Sequence, residues 1–477
     1  MSVIEAARLL PGPGLPAQAD RRVALRGDRI AEVGPGAGGS GLLVMPALAN
    51  AHDHARVARA SQMGGTDAPL EAWLPYLALI PPVDPWLASA VAFGRSARGG
   101  AGAVMAHYTR VQGLADFPTE AAAVAKAARD VGLRVALAVQ CRDVNPLVYA
   151  GEAAFLARLS PAAAETARRR FMRPALPPVE QVALAEAAAA DVEGDLVTVQ
   201  FGPAGPQWCS EALLALIAER SAATGRRIHM HLLESRYQRD WADRTHPGGL
   251  LRRLDEIGLL SPRLSVAHGV WLRPDEIALL AERGVTLVTN ASSNLGLASG
   301  LAPVPAMLRA GLSVAMGLDG MALDEDEDAL RELRLDHALH KGRGFETGMD
   351  ADAALRMATA AGRFAITGDA GGGVAAGAPA DLLSLDWAAL SAEMVEPDVA
   401  PLTLVLARAR AAHVRALHVA GREIVRDGSP TGVDLPALEA ALLAALRAGR
   451  GQTADLRAAM PELRSAFATH YGGVECC

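Results

Sequence analysis

Cysteine is scarce in this chain of 477 residues, with four in all. Cys141 and Cys209 stand alone and Cys476-Cys477 sit together, which gives neither a disulfide framework nor a Cys-x-x-Cys zinc pattern. Unpaired thiols in a reducing compartment are expected. The Cys476-Cys477 pair could instead bind metal or carry lipid, although it forms no prenylation motif. The start, Met1 to Leu10, lacks the basic and apolar halves of a secretory signal, and no uninterrupted apolar run is long enough to span a bilayer. A soluble cytoplasmic protein without a membrane partner is therefore expected. Basic blocks are missing too: the net charge is −7 with both signs interspersed, so no footprint for nucleic acid is visible. Fixed-period repeats and low-complexity linkers are also lacking.

What the chain does have is apolar residues, 51% of the total, and enough length for a large core and two structural units. Short apolar runs that read as buried strands alternate with helical segments. The runs are Leu42–Ala51, Ala103–Arg110, Arg134–Arg142, Leu196–Gly205, Arg227–Glu234, Leu264–Trp271, Thr286–Ser292 and Leu312–Asp319. Eight such units predict an α/β fold, a (β/α)8 TIM-type barrel. Helix signals agree: Ser210 opens Glu211–Thr224 and Gly225 closes it, while Pro274 begins a helix that Gly284 ends. The alanine-rich stretch between Asp143 and Asp195 reads as an inserted lid or helix pair over the mouth.

Outside the barrel, Val23–Val33, Asp381–Asp386 and His413–Val425 alternate in strand fashion, which predicts a small β-sandwich built from both flanks. The expected divisions are 1–47 and 375–430 for the sandwich, 48–374 for the barrel and 431–477 for a helical extension. Its helices, Leu435–Gly449 and Thr453–Ala468, are expected to pack on the outside.

Histidines and carboxylates fall at the C-terminal ends of the predicted strands, where a barrel gathers side chains at its mouth. His52 and His54 are two apart on a strand, so both project from one face. Zn²⁺ or Fe²⁺ accepts such nitrogen donors; His231 supplies a third, and Asp319 adds charge and an oxygen. A lone His-x-His has little specificity. His-x-His on strand one, His-x-x-Glu on strand five, His268 on strand six and Asp319 on strand eight together point to metal catalysis.

With these residues in view, the chain resembles the amidohydrolase superfamily, and within it the aminohydrolases of the cytosine deaminase-like branch, which includes nucleobase and S-adenosylhomocysteine deaminases. The resemblance is carried by Pro46-Ala47-Leu48-Ala49-Asn50-Ala51-His52-Asp53-His54, Ile228 to Ser235, Asn290 to Leu295, Pro303-Val304-Pro305, Met316 to Gly320, and Ala378 to Leu382. It implies one divalent metal, zinc first with iron or manganese as alternatives, held by His52, His54, His231 and Asp319. Glu234, His268 and Asp319 are then catalytic. A bound divalent ion acidifies water, Asp319 could take the proton with His268 steadying the nucleophile, and Glu234 could carry protons to a ring nitrogen and to departing ammonia. By resemblance, the glutamate favours deamination over dehalogenation or amide hydrolysis. The strand-four run holds no lysine to carbamylate and bridge two ions, which favours a mononuclear centre.

The expected function is thus removal of an exocyclic amino group from a nucleobase, nucleoside or triazine-like heterocycle. Hydrolysis of a chloro, alkylamino, urea or thiocarbamate group is the alternative, and a catalytically silent scaffold a distant third. A small molecule is the expected partner, with a homo-oligomer allowed but not specified. For substrate binding, His107, Gln140, Gln207 and Trp208 are candidates, each weighed against simple packing. His229 reads as a hydrogen-bonded core histidine below the metal. Asn290 and Asn294 could orient loops or touch substrate. His246, His337, His340, His413, His418 and His470 have no partner pattern. The run Asp324 to Asp328 reads as acidic residues at a helix start, with Asp324 or Glu325 over the mouth as the alternative.

Overall fold

Eight parallel strands follow one another in chain order: Leu48–Asp53, Ala101–Tyr108, Arg134–Cys141, Val197–Pro203, Ile228–Leu232, Leu264–His268, Thr286–Thr289 and Ser313–Met316. They belong to a computed structural model that describes residues 2–55, 58–65, 68–320, 325–369 and 371–472. The backbone N–H groups of Leu318 and Asp319 donate to His52 O at 3.2 and 2.8 Å, drawing the eighth strand end against the first and closing the mouth. The strands are buried almost throughout, because helices cover the outer face of a parallel sheet.

Inside the ring the side chains are small. Ala49, Ala51, Ala103, Ala136, Ala138 and Ala315 are all buried, and the helix Gly362–Thr367 packs against this floor. A Cβ on Gly362 would stand 2.8 Å from that of Ala49, so the close approach depends on small residues on both sides. Gln200, pointing down from the fourth strand, donates to Ile366 O at 2.9 Å and takes up a carbonyl at that helix end.

One expected strand is two. Leu42–Pro46 pairs antiparallel with Leu382–Asp386 in a second sheet, and only Leu48–Asp53 belongs to the barrel. Between them Ala47 N donates to Asp381 O at 3.1 Å. Both halves are apolar because both sheets are buried, so hydropathy does not mark the switch.

The second sheet has eight strands drawn from both flanks, Ser2–Leu9, Gln18–Arg26, Arg29–Pro35 and Leu42–Pro46 with Leu382–Asp386, Val414–Val419, Arg422–Arg426 and Ser429–Pro430. The single run expected over Val23–Val33 is a hairpin that turns at Gly27, whose φ of +58° suits glycine.

The segment after the third barrel strand forms three helices, Glu152–Leu156, Pro161–Phe171 and Pro178–Val192. Against the first two of these lies Ala454–Gly472, joined by ion pairs from Arg169 and Arg170 to Asp455 and by Phe155 and Phe467 with ring centres 4.6 Å apart. This helix does not simply cover the outside, as expected, but closes over the barrel mouth. Asp328 caps Ala329–His340 by accepting from Arg331 N, the structural role expected for the acidic run; Asp324 and Cys476-Cys477 lie outside the described residues. No helix among the described residues is long and apolar enough to cross a membrane.

Candidate metal centre and its cavity

His52 and His54 leave the first strand on one face, as the two-residue period requires. Their Nε2 atoms lie 3.2 and 2.9 Å from Asp319 Oδ1, and His231 Nε2 lies 3.3 Å from His54 Nε2. Asp53 sets this spacing from below. Its Oδ1 accepts from the backbone of His54 and Ala55, and its Oδ2 from Asn50 Nδ2 and Gly320 N, which pins the two turns carrying His54 and Asp319 to each other. Gly317 lets the eighth strand approach, since a Cβ there would meet Asn290 Oδ1 at 2.3 Å and His52 Cβ at 2.8 Å.

The hydrogen bonds behind the rings fix their tautomers. His54 Nδ1 faces His107 O at 2.8 Å and His231 Nδ1 faces Ala204 O at 2.6 Å; a carbonyl can only accept, so each Nδ1 carries the proton. For His52 the logic runs through three residues. Ser265 Oγ donates to Ile228 O, His229 Nδ1–H donates to Ser265 Oγ at 2.7 Å, and His229 Nε2 is left to accept from His52 Nδ1–H at 2.7 Å. The Nε2 lone pairs of His52 and His54 therefore face Asp319 Oδ1, and that of His231 faces His54 Nε2 beside them. Burial reinforces this: it depresses the His52 pKa to about 3 and holds His229 and His231 well below the ordinary histidine value. Burial alone would raise Asp319, but the two imidazoles beside it, His52 and His54, hold it well below the usual carboxylate range. Three nitrogen lone pairs and an anionic oxygen facing one another at such distances fit a divalent cation, and the N₃O donor set suits zinc.

Glu234 and His268 stand beside this cluster, with His268 Nε2 3.5 Å from Glu234 Oε2. Glu234, His268 and Asp319 bring one ligand-type atom each within 4.8 Å of one another. Asn294 Oδ1 accepts from His268 Nδ1 at 2.9 Å, and Ser293 Oγ donates to Asp319 Oδ2 at 2.5 Å. His268 and Asp319 adopt left-handed backbone, φ +76° and +59°, a conformation costing about 1–3 kcal/mol each in a non-glycine residue. The strain turns both side chains inward at their strand ends.

A cavity of about 300 Å³ opens from the cluster, bordered by His54, His231, Glu234, His268 and Asp319. Of the residues expected to meet substrate, Gln140 and Trp208 line it. His107 and Gln207 do not: both are fully buried behind the wall, His107 Nε2 bonded to Gly202 O at 3.0 Å. Asn290 and Asn294 lie around His268 rather than in the cavity lining. The rest of the wall comes from residues that sequence reasoning did not single out. Glu71 and Trp73 project from helix Leu70–Leu77, Tyr149 from the loop after the third strand, and Phe467 and Tyr471 from helix Ala454–Gly472. Only their apolar or aromatic character could have marked most of them, and core residues share it.

The model of the amidohydrolase family matches residues 43–422. Among curated relatives, a 5'-deoxyadenosine deaminase of Methanopyrus kandleri is 33% identical over 240 residues, 50% of this chain and 55% of the relative. A 5-methylthioadenosine/S-adenosylhomocysteine deaminase of Thermococcus sibiricus is 35% identical over 207 residues, 43% and 47% of the two chains. The chain thus spans about half the length of the curated relatives it matches. Among solved structures, a zinc-bound adenosine deaminase from Xanthomonas campestris superposes with a TM-score of 0.78 at 24% identity, covering 96% of this chain and 98% of the other. An atrazine chlorohydrolase from Arthrobacter aurescens, complexed with zinc, gives 0.77 at 20% identity, covering 94% and 100%. These two likenesses show the shared fold.

Proposed function

The chain belongs to the amidohydrolase family, and on that premise we propose that it is a metal-dependent aminohydrolase: it removes an exocyclic amino group from an amidine-like ring carbon of a nucleobase, nucleoside or triazine-like heterocycle and releases ammonia. The observation that carries this reading is the placement of Glu234 and His268 beside the four-atom donor cluster, on the wall of one cavity. His52, His54, His231 and Asp319 would hold the ion. Bound there, a divalent ion supplies Lewis acidity and acidifies water.

The chain's own groups account for the protons. Hydrolytic deamination consumes one water and returns the ring carbonyl and ammonia. Glu234 is positioned to take a proton from the incoming water and deliver it to the ring nitrogen next to the attacked carbon, which spares that carbon negative charge. A second transfer, through Asp319 or Glu234, reaches the departing amine. Gln238 Oε1 accepts from Glu234 N at 2.8 Å and keeps the loop in place, while His268, fixed by Asn294, orients the attacking oxygen. Trp208 and Trp73 offer planar apolar surface to a ring. The deaminase names of the relatives support adenosine-type nucleosides as the first compounds to try.

Ammonia release by the zinc-reconstituted protein, assayed over 5'-deoxyadenosine, 5-methylthioadenosine, adenosine, guanine, aminopyrimidines and aminotriazines, tests the reading. A hit names the ring. Silence over the whole panel with metal bound, or chloride release from a chlorotriazine without ammonia from any amine, overturns it.

A further inference from the structure

Glu71 is a carboxylate in the wall of the cavity that the proton accounting does not use. It projects from the helix Leu70–Leu77, is 4% exposed, and borders the same cavity as Glu234. One of its oxygens is fully engaged: Oε1 accepts from Tyr149 OH at 2.8 Å and from Ser235 Oγ. The donors are themselves held. Gln238 Nε2 reaches Tyr149 OH at 3.4 Å while Gln238 Oε1 accepts from Glu234 N, so the frame that fixes Glu71 also fixes the loop of the proton carrier.

The other oxygen, Oε2, is buried and has no hydrogen-bond partner among the described residues. The two guanidiniums bordering the cavity do not supply one. Arg110 is committed to the carbonyls of Leu77 and Ile80, and Arg142 lies over the Trp208 ring with its NH2 nitrogen on Asn145 O. Burial raises the Glu71 pKa, opposed by the hydrogen bonds that Oε1 accepts from Ser235 and Tyr149. A carboxyl group in this position gains most from a ligand that brings a proton donor to it.

We infer that Glu71 determines substrate choice: its Oε2 accepts a hydrogen bond from an N–H or O–H group that the substrate displays away from the departing amine, so that compounds lacking such a donor are turned down. The inference rests on the deaminase reading of the same cavity, but it concerns binding and can be tested apart from turnover. A neutral donor from a sugar hydroxyl and one from a second ring amine are chemically alike at this oxygen. A site built around such a donor discriminates strongly, because without it the buried acceptor stays unmatched.

Calorimetry on the zinc-loaded Glu234→Gln protein, which spares the ligand, measures binding of two matched pairs. Adenosine against 2',3'-dideoxyadenosine isolates the hydroxyl source; 2,6-diaminopurine against 6-aminopurine isolates the ring amine. In at least one pair the donor-bearing member is expected to bind about 10- to 100-fold more tightly, as one buried hydrogen bond allows. Adding Glu71→Gln should abolish that difference, because the glutamine oxygen is retained by Ser235 and Tyr149 and its NH2 group then faces the donor. Metal content and unfolding temperature serve as the controls for a merely structural role. Equal affinities within both pairs, no binding of any of the four, discrimination that survives Glu71→Gln, or a variant that weakens all ligands alike while losing stability would each overturn the inference. Discriminating, Glu71-dependent binding without ammonia release from the parent protein would instead overturn the deaminase reading alone.

Discussion

His54 Nε2 and His231 Nε2 face each other at 3.3 Å, and neither holds the hydrogen that would make the contact a bond, since the proton of each ring is committed to a carbonyl behind it. Two lone pairs so placed repel unless a cation lies between them. His54→Ala should therefore lose bound zinc and, with it, activity, while the barrel still folds. Metal analysis of the purified variant decides the matter; an unchanged zinc content would show that the ligand set is wrong.

Ser265 is not a ligand, yet it sets the direction of the His229–His52 chain. Ser265→Ala removes the acceptor for His229 Nδ1–H and frees His229 to adopt the tautomer that no longer accepts from His52. Zinc affinity is expected to fall about 10- to 100-fold, the usual effect of losing a partner behind a ligand. Competition with a chromophoric chelator gives the number, and an affinity within about twofold of the parent would refute the relay.

Glu234→Gln keeps the size of the side chain and removes its proton affinity. It should retain zinc and lose about 10²- to 10⁴-fold in kcat, the range of general acid–base catalysis. Full turnover in this variant would take the proton-carrying role away from Glu234.

Acid should destabilise the metal-free protein. The folded pKa of His52 is depressed to about 3 from 6.5, so between those values the unfolded chain binds a proton that the folded chain refuses, and stability falls as pH falls. At pH 5 the loss from His52 alone is about 2 kcal/mol, and His107, His229 and His231 shift the same way. Thermal unfolding of chelator-treated protein at pH 7.5 and pH 5 should show a clear drop, and a flat profile would mean that these histidines are not buried and neutral.

The donor cluster was readable in the sequence because strand geometry is local. A period of two places His52 and His54 on one face whatever surrounds them, and apolar runs mark where the barrel strands end. The join at Pro46–Ala47 was hidden, since both sheets bury their strands and hydropathy does not change across it. The cavity wall was hidden for another reason. Glu71, Tyr149 and Phe467 lie on segments whose helical or loop character is legible, but which helix crosses the mouth is decided by packing between distant parts, such as Asp455 with Arg170. His107 and Gln207 show the reverse error: a place near a strand end suggested the mouth, and the backbone turned both side chains into the wall.

Phe467 and Tyr471 close the cavity from a helix that carries none of the proposed metal ligands. Replacing them alters what fits without touching the residues that hold the ion or move protons. In a lineage under changing selection, this helix and the Leu70–Leu77 helix are where new substrates can be acquired by drift, one wall residue at a time, while the reaction itself is inherited intact.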